Sequence, residues 1–154
     1  MKCLGNLCPP SLEAINTPKF VIRAGIIPYA IPQQMILLGV KEGKYTDFGG
    51  GCKVAKMELP FDCAVREMRE EAGSEIVPNL DNITHLFISG KRQPHQVVLM
   101  VKIDDLHLPR QIPKGELERV ELLSFARFRK IEHFRLADSL KSIYKDILVA
   151  MSTM

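Results

Sequence analysis

The stretch GGGCKVAKMELPFDCAVREMREEAG, residues 49–73, joins a glycine cluster to a short segment crowded with arginine and glutamate. On a helical wheel of about 100° per residue, its apolar side chains fall in one narrow arc, which must pack onto other structure. Pro60 suits the first helical position, and Gly73 suits the residue just past the end. The pattern therefore predicts an amphipathic helix from about Pro60 to Ala72. Its apolar arc consists of Phe61, Ala64, Val65, Met68 and Ala72.

Three carboxylates lie beside that arc, at Glu67, Glu70 and Glu71. Residues three and four apart on a helix have Cβ atoms about 5–6 Å apart, so the carboxylates converge on one small volume. An exposed run of Arg and Glu is usually a solvated helix face, and without a counter-charge the three groups repel one another. Mg²⁺ prefers oxygen ligands and leaves coordination positions for substrate phosphates. Taken alone, the cluster is better explained as a solvated face, but a glycine turn and Glu58 stand just upstream, so a metal site is the alternative to weigh.

A known motif matches the same stretch. Over residues 51–74 the chain resembles the Nudix box, G-x5-E-x7-R-E-U-x-E-E-x-G-U, in which U is an apolar residue. At average residue usage, so many matches arise by chance on the order of once in a hundred thousand such sequences. An accidental match on an unrelated α/β domain is therefore the weakest interpretation. The matching positions are Glu58, Arg66, Glu67, Met68, Glu70, Glu71 and Gly73.

Two positions depart from the motif. Cys52 stands where the first glycine should be, and Ser74 replaces the final apolar residue. Either Gly51 makes the turn one position early, or Cys52 is accommodated in a slightly longer loop. The departures leave open whether the backbone carbonyl of Gly50 or that of Gly51 faces a metal.

The resemblance implies hydrolysis of a nucleoside diphosphate linked to another moiety, by attack of water on a phosphorus atom. It implies Mg²⁺ or Mn²⁺ as cofactor and Glu67, Glu70 and Glu71 as its ligands, and we add the backbone of Gly51 to that set. These carboxylates are then catalytic as well, with Glu70 or Glu71 helping to deprotonate the water. The expected partner is a small-molecule diphosphate substrate.

Other residues are expected to support that site. By the same resemblance, Arg66 pairs with Glu58 and holds the loop against the helix. Lys53 directly follows the glycines and either approaches a phosphate or is a solvated lysine. We place Lys53, Arg66 and Glu58 together as cofactor-binding residues.

Two further segments offer candidate residues. Some family members take a general base from a later loop, and KGELERVELLSF, residues 114–125, contains three glutamates. Of these, Glu118 is our first choice over Glu116 and Glu121. A basic loop either contacts a phosphate or keeps the end of a hairpin soluble. Its basic residues are Lys91, Arg92 and His95.

Apolar runs predict the rest of the fold. The first two are nearly continuous in Ile, Val and Leu, which indicates strands buried on both faces. A stripe at spacings of three and four from Leu136 to Met151 predicts a C-terminal core helix. With the resemblance, this implies an α/β fold, a Nudix-type α/β/α sandwich with a mixed β-sheet flanked by helices. Strands are predicted at 20–27, 34–40, 83–89, 97–103 and, as a strand or a strand running into a loop, 120–128.

Composition limits the class of protein. A chain of 154 residues with 46% hydrophobic content fits one domain, which we place at residues 18–154 behind a loosely ordered lead-in at 1–17. A net charge of +3 is only mildly basic, which argues against an extended nucleic-acid surface. Four cysteines without a CxxC pair predict free thiols. No apolar run suggests a signal peptide or a membrane span, so we expect a cytoplasmic protein.

Several alternatives remain within this interpretation. The GGG turn is similar to that of diphosphoinositol polyphosphate hydrolases, and capped RNA is another candidate partner. A homodimer is an alternative to a monomer. A non-catalytic Nudix domain that binds a nucleotide or a protein is the alternative from a different class, supported by Cys52 and Ser74. The intact acidic cluster argues against it, because a binding copy has no need for a costly carboxylate cluster.

Overall fold

A seven-stranded mixed β-sheet forms the centre of the computed structural model, which describes residues 9–18, 21–90 and 95–154. Five strands follow the order β3-β2-β1-β6-β5, while β4 pairs with β1 and β7 pairs with β2. Strands β1 and β6 are parallel, and the other pairs are antiparallel. The strands are β1 (Arg23–Ala30), β2 (Met35–Lys41), β3 (Lys44–Thr46), β4 (Phe48–Gly51), β5 (Ile83–Ser89), β6 (Gln96–Lys102) and β7 (Arg119–Ser124).

Helices cover both faces of this sheet, which confirms the predicted sandwich. Helix α2 begins and ends at the residues that its sequence predicted, with Pro60 at the first position and Gly73 just beyond the end. Gly73 has a φ of +84°, a conformation that favours glycine. The helices are α1 (Leu12–Asn16), α2 (Pro60–Ala72), α3 (Phe125–Arg129), α4 (Asp138–Lys141) and α5 (Tyr144–Ser152), with 3₁₀ turns at Val54–Lys56 and His133–Arg135.

Two hydrophobic clusters lie on opposite faces of the sheet because side chains alternate along each strand. In β1, Ile26 joins the cluster that packs against α2, whereas Ile27 joins the cluster under the C-terminal helices. Leu37 and Leu38 in β2 divide in the same way. The first two strands are therefore buried on both faces, as their continuous apolar character predicted.

The C-terminal half differs from the expected pattern in two places. Strand β7 stops at Ser124, whose Oγ accepts a hydrogen bond from Arg127 N at 3.1 Å and thereby caps α3, so the predicted strand at 120–128 is too long. The single helix expected from Leu136 to Met151 is divided into α4 and α5. Ile143 breaks it, with a φ of −122° and a ψ of 1°. The apolar stripe is nevertheless buried throughout.

Residues 11–16, within the expected lead-in, include a short helix that packs against the domain. Ser11 caps α1, and Ile15 is fully buried in the cluster beside α2. Asn16 Oδ1 accepts a hydrogen bond from Phe61 N at 3.0 Å, which satisfies one of the free N–H groups at the start of α2. Residues 11–16 are thus attached to the helix that carries the acidic cluster. Residues 1–8, which include Cys3 and Cys8, lie outside the described residues.

Within the described ranges, no helix has both the length and the apolar character needed to cross a membrane.

Candidate active site

Strand β4 holds the glycine cluster directly against α2. It pairs with β1 so that Gly50 lies opposite Ala24 and Gly51 lies opposite Arg23. A Cβ atom on Gly50 would lie 2.6 Å from Glu67 Oε2, so the carboxylate would have to shift. Glycine at this position therefore allows the backbone of β4 and a carboxylate of α2 to approach each other.

The structure places the three predicted carboxylates around one cavity. This cavity has a volume of about 490 Å³, and we call it the acidic cavity. The glycines of β4 form one side, α2 forms a second and the loop before β7 forms a third. Its lining residues are Gly49, Gly50, Gly51, Glu67, Glu70, Glu71, Lys114, Gly115 and Glu116.

Glu71 is the most perturbed group in the acidic cavity. Burial raises its pKa to about 8, and the negative charges of Asp47 and Glu67 add to the rise. Its Oε1 atom is buried and has no hydrogen-bond partner among the residues that the structure describes. Burial also raises the pKa of Glu67. A buried carboxylate oxygen without a donor, beside further carboxylates, is the donor set that a hard divalent cation requires.

Arg66 links the helix to the loop that precedes it. Its Nε and Nη2 atoms donate to the two oxygens of Glu58 at 2.7 and 2.9 Å, and the pairing holds the pKa of Glu58 at about 2. Nη2 also donates to the Gly51 carbonyl oxygen at 2.9 Å. Nη1 donates to Glu67 Oε1 at 3.1 Å and to Glu70 Oε2 at 3.0 Å. The structure thus contains the expected Arg66–Glu58 pair and extends it to two of the three carboxylates.

These contacts change the expected roles of two residues. The Gly51 carbonyl oxygen is already accepting from Arg66, so a metal at Gly51 has to share it. The cavity-lining residues do not include Lys53, whose backbone N donates to Glu58 Oε1 at 3.0 Å. Lys53 therefore contributes to the loop through its main chain.

The carboxylate oxygens share the cavity without converging tightly. Among the described residues, one set of three His, Cys, Asp or Glu side chains has ligand atoms that all lie within 4.8 Å of one another. This set is Cys52, Glu58 and Cys63, not the three carboxylates of the cavity. Glu67 and Glu70 each hold an oxygen towards Arg66 instead. A cation in the acidic cavity would therefore compete with Arg66 Nη1 for these two side chains.

The expectation of free thiols is wrong for two of the four cysteines. Cys52, at the end of the glycine turn, is disulfide-bonded to Cys63 in the first turn of α2, with their Cα atoms 5.3 Å apart. Spacing could not show this pair, because the two cysteines are eleven positions apart and the fold of the loop brings them together.

The later loop places Glu116, rather than Glu118, in the acidic cavity. Glu116 lines the cavity, and its Oε2 lies 2.6 Å from Lys41 Nζ. Glu118 is absent from the lining, and its Oε1 accepts from Gly43 N at 3.1 Å. Glu121 lies on β7 and accepts from Tyr45 Oη at 2.7 Å. The later-loop base therefore stays a prediction, and Glu116 is the glutamate of this loop that lines the acidic cavity.

An ion pair that the sequence analysis did not identify lies beside the site. Arg23 Nη1 and Nη2 each donate to one oxygen of Asp47 at 2.9 Å, and Asp47 is completely buried. Arg23 Nη1 also donates to Gln96 Oε1 at 3.0 Å, and Ser139 Oγ donates to Asp47 Oδ1 at 2.8 Å. The available signal was a charged residue within each of two apolar segments, FVIRAGII and YTDFGG.

A second cavity of about 470 Å³ adjoins this ion pair, and we call it the polar cavity. Lys41 lines the polar cavity while its partner Glu116 lines the acidic cavity, so this pair stands between the two. His95 lines the polar cavity, whereas Lys91 and Arg92 of the predicted basic loop lie outside the described residues. The lining consists of Ile22, Arg23, Lys41, Glu42, Lys44, Thr46, His95, Gln96, Ala137, Asp138, Ser139 and Ser142.

The fold is similar to those of solved Nudix hydrolases. RenU, a Nudix hydrolase from M. smegmatis, has a TM-score of 0.64 at 14% identity, over 88% of this chain and 88% of that chain. An Ap4A hydrolase from C. elegans has a TM-score of 0.59 at 16% identity, over 87% of this chain and 100% of that chain. The pyrophosphohydrolase BsRppH from Bacillus subtilis has a TM-score of 0.54 at 18% identity, over 96% of this chain and 88% of that chain. At these identities the likeness shows the fold alone.

Family membership depends on the sequence match. Among curated proteins no significant match is found. The NUDIX domain model, in contrast, matches residues 20–147, which span most of the chain and include both the glycine turn and the acidic helix. Because that match covers well over half of the residues, the chain belongs to the NUDIX domain family.

Proposed function

We propose that this protein is a divalent-metal-dependent hydrolase that cleaves the diphosphate linkage of a nucleoside diphosphate-linked compound by attack of water on phosphorus. The observation that supports it best is the orphaned Oε1 atom of Glu71, buried in a cavity that Glu67 and Glu70 also line. A binding domain without catalysis has no evident use for a carboxylate with its pKa raised to about 8. Family membership makes hydrolysis the most consistent use.

Mg²⁺ or Mn²⁺ is the cofactor that the acidic cavity fits. Glu67, Glu70 and Glu71 would hold it, with a backbone carbonyl of the glycine turn as a further oxygen donor. When bound, such an ion polarises phosphoryl oxygens and lowers the pKa of a coordinated water. Arg66 positions Glu67 and Glu70 and fixes the turn through Gly51. Lys114, at the rim of the cavity, can pair with a phosphate oxygen.

Glu116 is the residue that we assign to proton removal from the later loop. It is the one glutamate of that loop found in the acidic cavity among the described residues. Its ion pair with Lys41 holds the carboxylate in place and lowers its pKa, so Glu116 is ionised but is a weaker base while the pair lasts. Movement of Lys41 towards a substrate phosphate would release the carboxylate for that role.

The polar cavity is the proposed position of the moiety attached to the diphosphate. It offers hydrogen-bonding groups from Gln96, Ser139 and Ser142, and charges from Lys44 and Asp138. Its described lining includes no Phe, Tyr or Trp side chain, on which a base could stack. We therefore expect recognition by hydrogen bonds, as for a ribose or another hydroxylated group, rather than by stacking. This favours a small molecule over capped RNA as substrate.

The test is release of phosphate or nucleotide from a panel of diphosphate compounds, with Mg²⁺ and Mn²⁺ compared. We expect Glu67→Gln and Glu70→Gln each to lower kcat by about 100-fold or more, because outer residues of metal sites already account for about 10–100-fold. Both variants should keep the circular dichroism spectrum of the parent. Full activity in both would remove the metal-ligand assignment.

A matched pair of variants tests the later-loop base. Glu116→Gln should lower kcat by about 10²-fold or more, the usual contribution of general base catalysis. Glu118 belongs to the same loop but lies outside the lining of the acidic cavity, so the Glu118→Gln variant should retain activity close to that of the parent. The opposite result would return the role to Glu118. Binding of nucleotides without turnover at any metal concentration would favour the non-catalytic alternative.

A further inference from the structure

The disulfide between Cys52 and Cys63 is not used by the proposed hydrolysis. Cys52 replaces the first glycine of the Nudix box, and Cys63 is the fourth residue of α2. The two positions lie on the separate elements that form the acidic cavity, the glycine turn and the acidic helix. The departure from the motif is therefore half of a cross-link between these two elements.

This cross-link lies at the point where the turn touches the acidic helix. Cys63 Sγ is 3.8 Å from the Gly50 carbonyl oxygen, and Glu67, one helical turn further along α2, is the side chain that Gly50 faces. Between Gly50 and Cys52, the Gly51 carbonyl oxygen accepts a hydrogen bond from Arg66. The disulfide and Arg66 thus hold the same short backbone segment against the helix.

The two sulfur atoms differ in their access to solvent. Cys63 is fully buried, whereas Cys52 is only partly buried. A thiolate reductant therefore attacks Cys52 Sγ, which breaks the S–S bond, forms a mixed disulfide on Cys52 and releases Cys63 as a thiolate that takes up a proton. A second thiol displaces Cys52 and leaves the reductant as its disulfide. Two electrons pass from two thiols to the protein, and a small-molecule disulfide reverses the reaction.

A thiophilic metal is the competing use of these cysteines. Their sulfur atoms and a Glu58 oxygen lie within 4.8 Å of one another. However, both oxygens of Glu58 already accept hydrogen bonds, from Arg66 and from Lys53 N. Only two ligands are then left for an ion that usually takes four, so a disulfide is the better assignment.

We propose that Cys52 and Cys63 form a reversible redox clamp, in which oxidation holds the glycine turn on α2 and increases the affinity of the acidic cavity for a divalent cation. The proposal rests on the proposed metal-dependent function of that cavity. Reduction leaves hydrogen bonds, among them those of Arg66 with Glu58 and with the Gly51 carbonyl, to hold the turn on α2, and the turn can then move away from Glu67 more easily. The regulating chemistry is a small-molecule thiol–disulfide couple.

The experiment compares Mn²⁺ affinity in the two redox states of a Cys3→Ser/Cys8→Ser variant, in which Cys52 and Cys63 are the remaining thiols. One sample is treated with glutathione disulfide and the other with dithiothreitol, and both are desalted before Mn²⁺ titration by electron paramagnetic resonance. We expect the dissociation constant for Mn²⁺ to be about tenfold higher after reduction, the lower end of the effect of outer residues on metal sites. Thiol counting with a maleimide should give two reactive groups only in the reduced sample.

A variant with Cys52→Ser and Cys63→Ser added to the same background should bind Mn²⁺ equally after either treatment. If that variant does not fold, the two redox states of its parent still provide the comparison. Three results would each overturn the clamp. They are equal Mn²⁺ affinity in the two redox states, two free thiols after treatment with glutathione disulfide, and stoichiometric Zn²⁺ that blocks oxidation of the cysteines. If Mn²⁺ affinity depends on the redox state but no substrate is turned over, the proposed hydrolase is refuted and the clamp stands. If a substrate is turned over but Mn²⁺ affinity does not depend on the redox state, the clamp is refuted and the hydrolase stands.

Discussion

At the scale of single residues, Glu71 on α2 and Glu58 in the loop before it have opposite environments. Glu58 accepts two hydrogen bonds from Arg66 and one from Lys53 N, so its charged form is stabilised and its pKa falls to about 2. Glu71 is buried beside other carboxylates, so its charged form is destabilised and its pKa rises to about 8. The first carboxylate fixes the loop to the helix, and the second is the group that we propose binds a cation.

The pKa of Glu71 predicts a pH dependence of stability in the absence of metal. The folded form keeps a proton on Glu71 up to about pH 8, whereas the unfolded form releases it near the usual value of 4.5. Because the folded state then binds more protons, the free energy of unfolding should fall as the pH rises from about 4.5 to 8. Urea unfolding of the wild type and of Glu71→Gln between pH 5 and pH 8 measures this effect.

The control is the difference between the two proteins, since other titrating groups are common to both. We expect the wild type to lose stability relative to Glu71→Gln over that range, and saturating Mg²⁺ to oppose the loss, because the cation replaces the proton. Parallel pH profiles for the two proteins without metal would contradict the assigned pKa.

At the scale of elements, the acidic cavity depends on the contact between β4 and α2. The local sequence determined the ends of α2, through Pro60 and Gly73, and its buried face. It did not reveal that the glycines form a short strand, because four residues paired with β1 carry no pattern of their own. The sequence also did not predict the division of the C-terminal helix. Ser139 and Ser142, which both precede that break, bond to Asp47 and to Ser89, contacts that only the assembled fold supplies.

Two neighbouring glycines give a test at this scale. In Gly50→Ala the new methyl would lie 2.6 Å from Glu67 Oε2, and the flexible carboxylate should move aside. We expect Mn²⁺ affinity to fall about tenfold, as for other changes beside a metal ligand, with little change in Tm. In the control, Gly51→Ala, the nearest atom is Ile22 O at 3.9 Å, so affinity should stay close to that of the wild type. Equal losses in both variants would show that the turn does not position Glu67.

At the scale of the whole molecule, the Arg23–Asp47 pair joins segments that are far apart in the chain. Arg23 starts β1, Asp47 precedes β4, Gln96 starts β6 and Ser139 belongs to α4. The parallel pairing of β1 with β6 brings Gln96 next to Arg23. Arg23 lines the polar cavity, and the negative charge of Asp47 contributes to the raised pKa of Glu71 in the acidic cavity. The network therefore links the packing of the sheet to the electrostatics of the site.

Loss of one partner of this pair should be costly. Asp47→Asn removes the charge that balances Arg23 in a largely buried position, and we expect a loss of about 3 kcal/mol in the free energy of unfolding. The exposed control Asp81→Asn should change it by less than about 0.5 kcal/mol. Chemical denaturation of both variants at pH 7 makes the comparison. A small effect of Asp47→Asn would show that water reaches the pair.

Taken alone, the sequence determined the features that depend on neighbours along the chain: the ends and apolar face of α2, the strands buried on both faces, and the motif that places Glu67, Glu70 and Glu71 on one helix edge. Tertiary structure alone decided the Arg23–Asp47 pair, the Cys52–Cys63 disulfide and the presence of Glu116, rather than Glu118, in the lining of the acidic cavity. The physical reason is distance along the chain. Helix and strand periodicity act over a few residues, whereas these contacts form only after strands from different parts of the chain have paired in register.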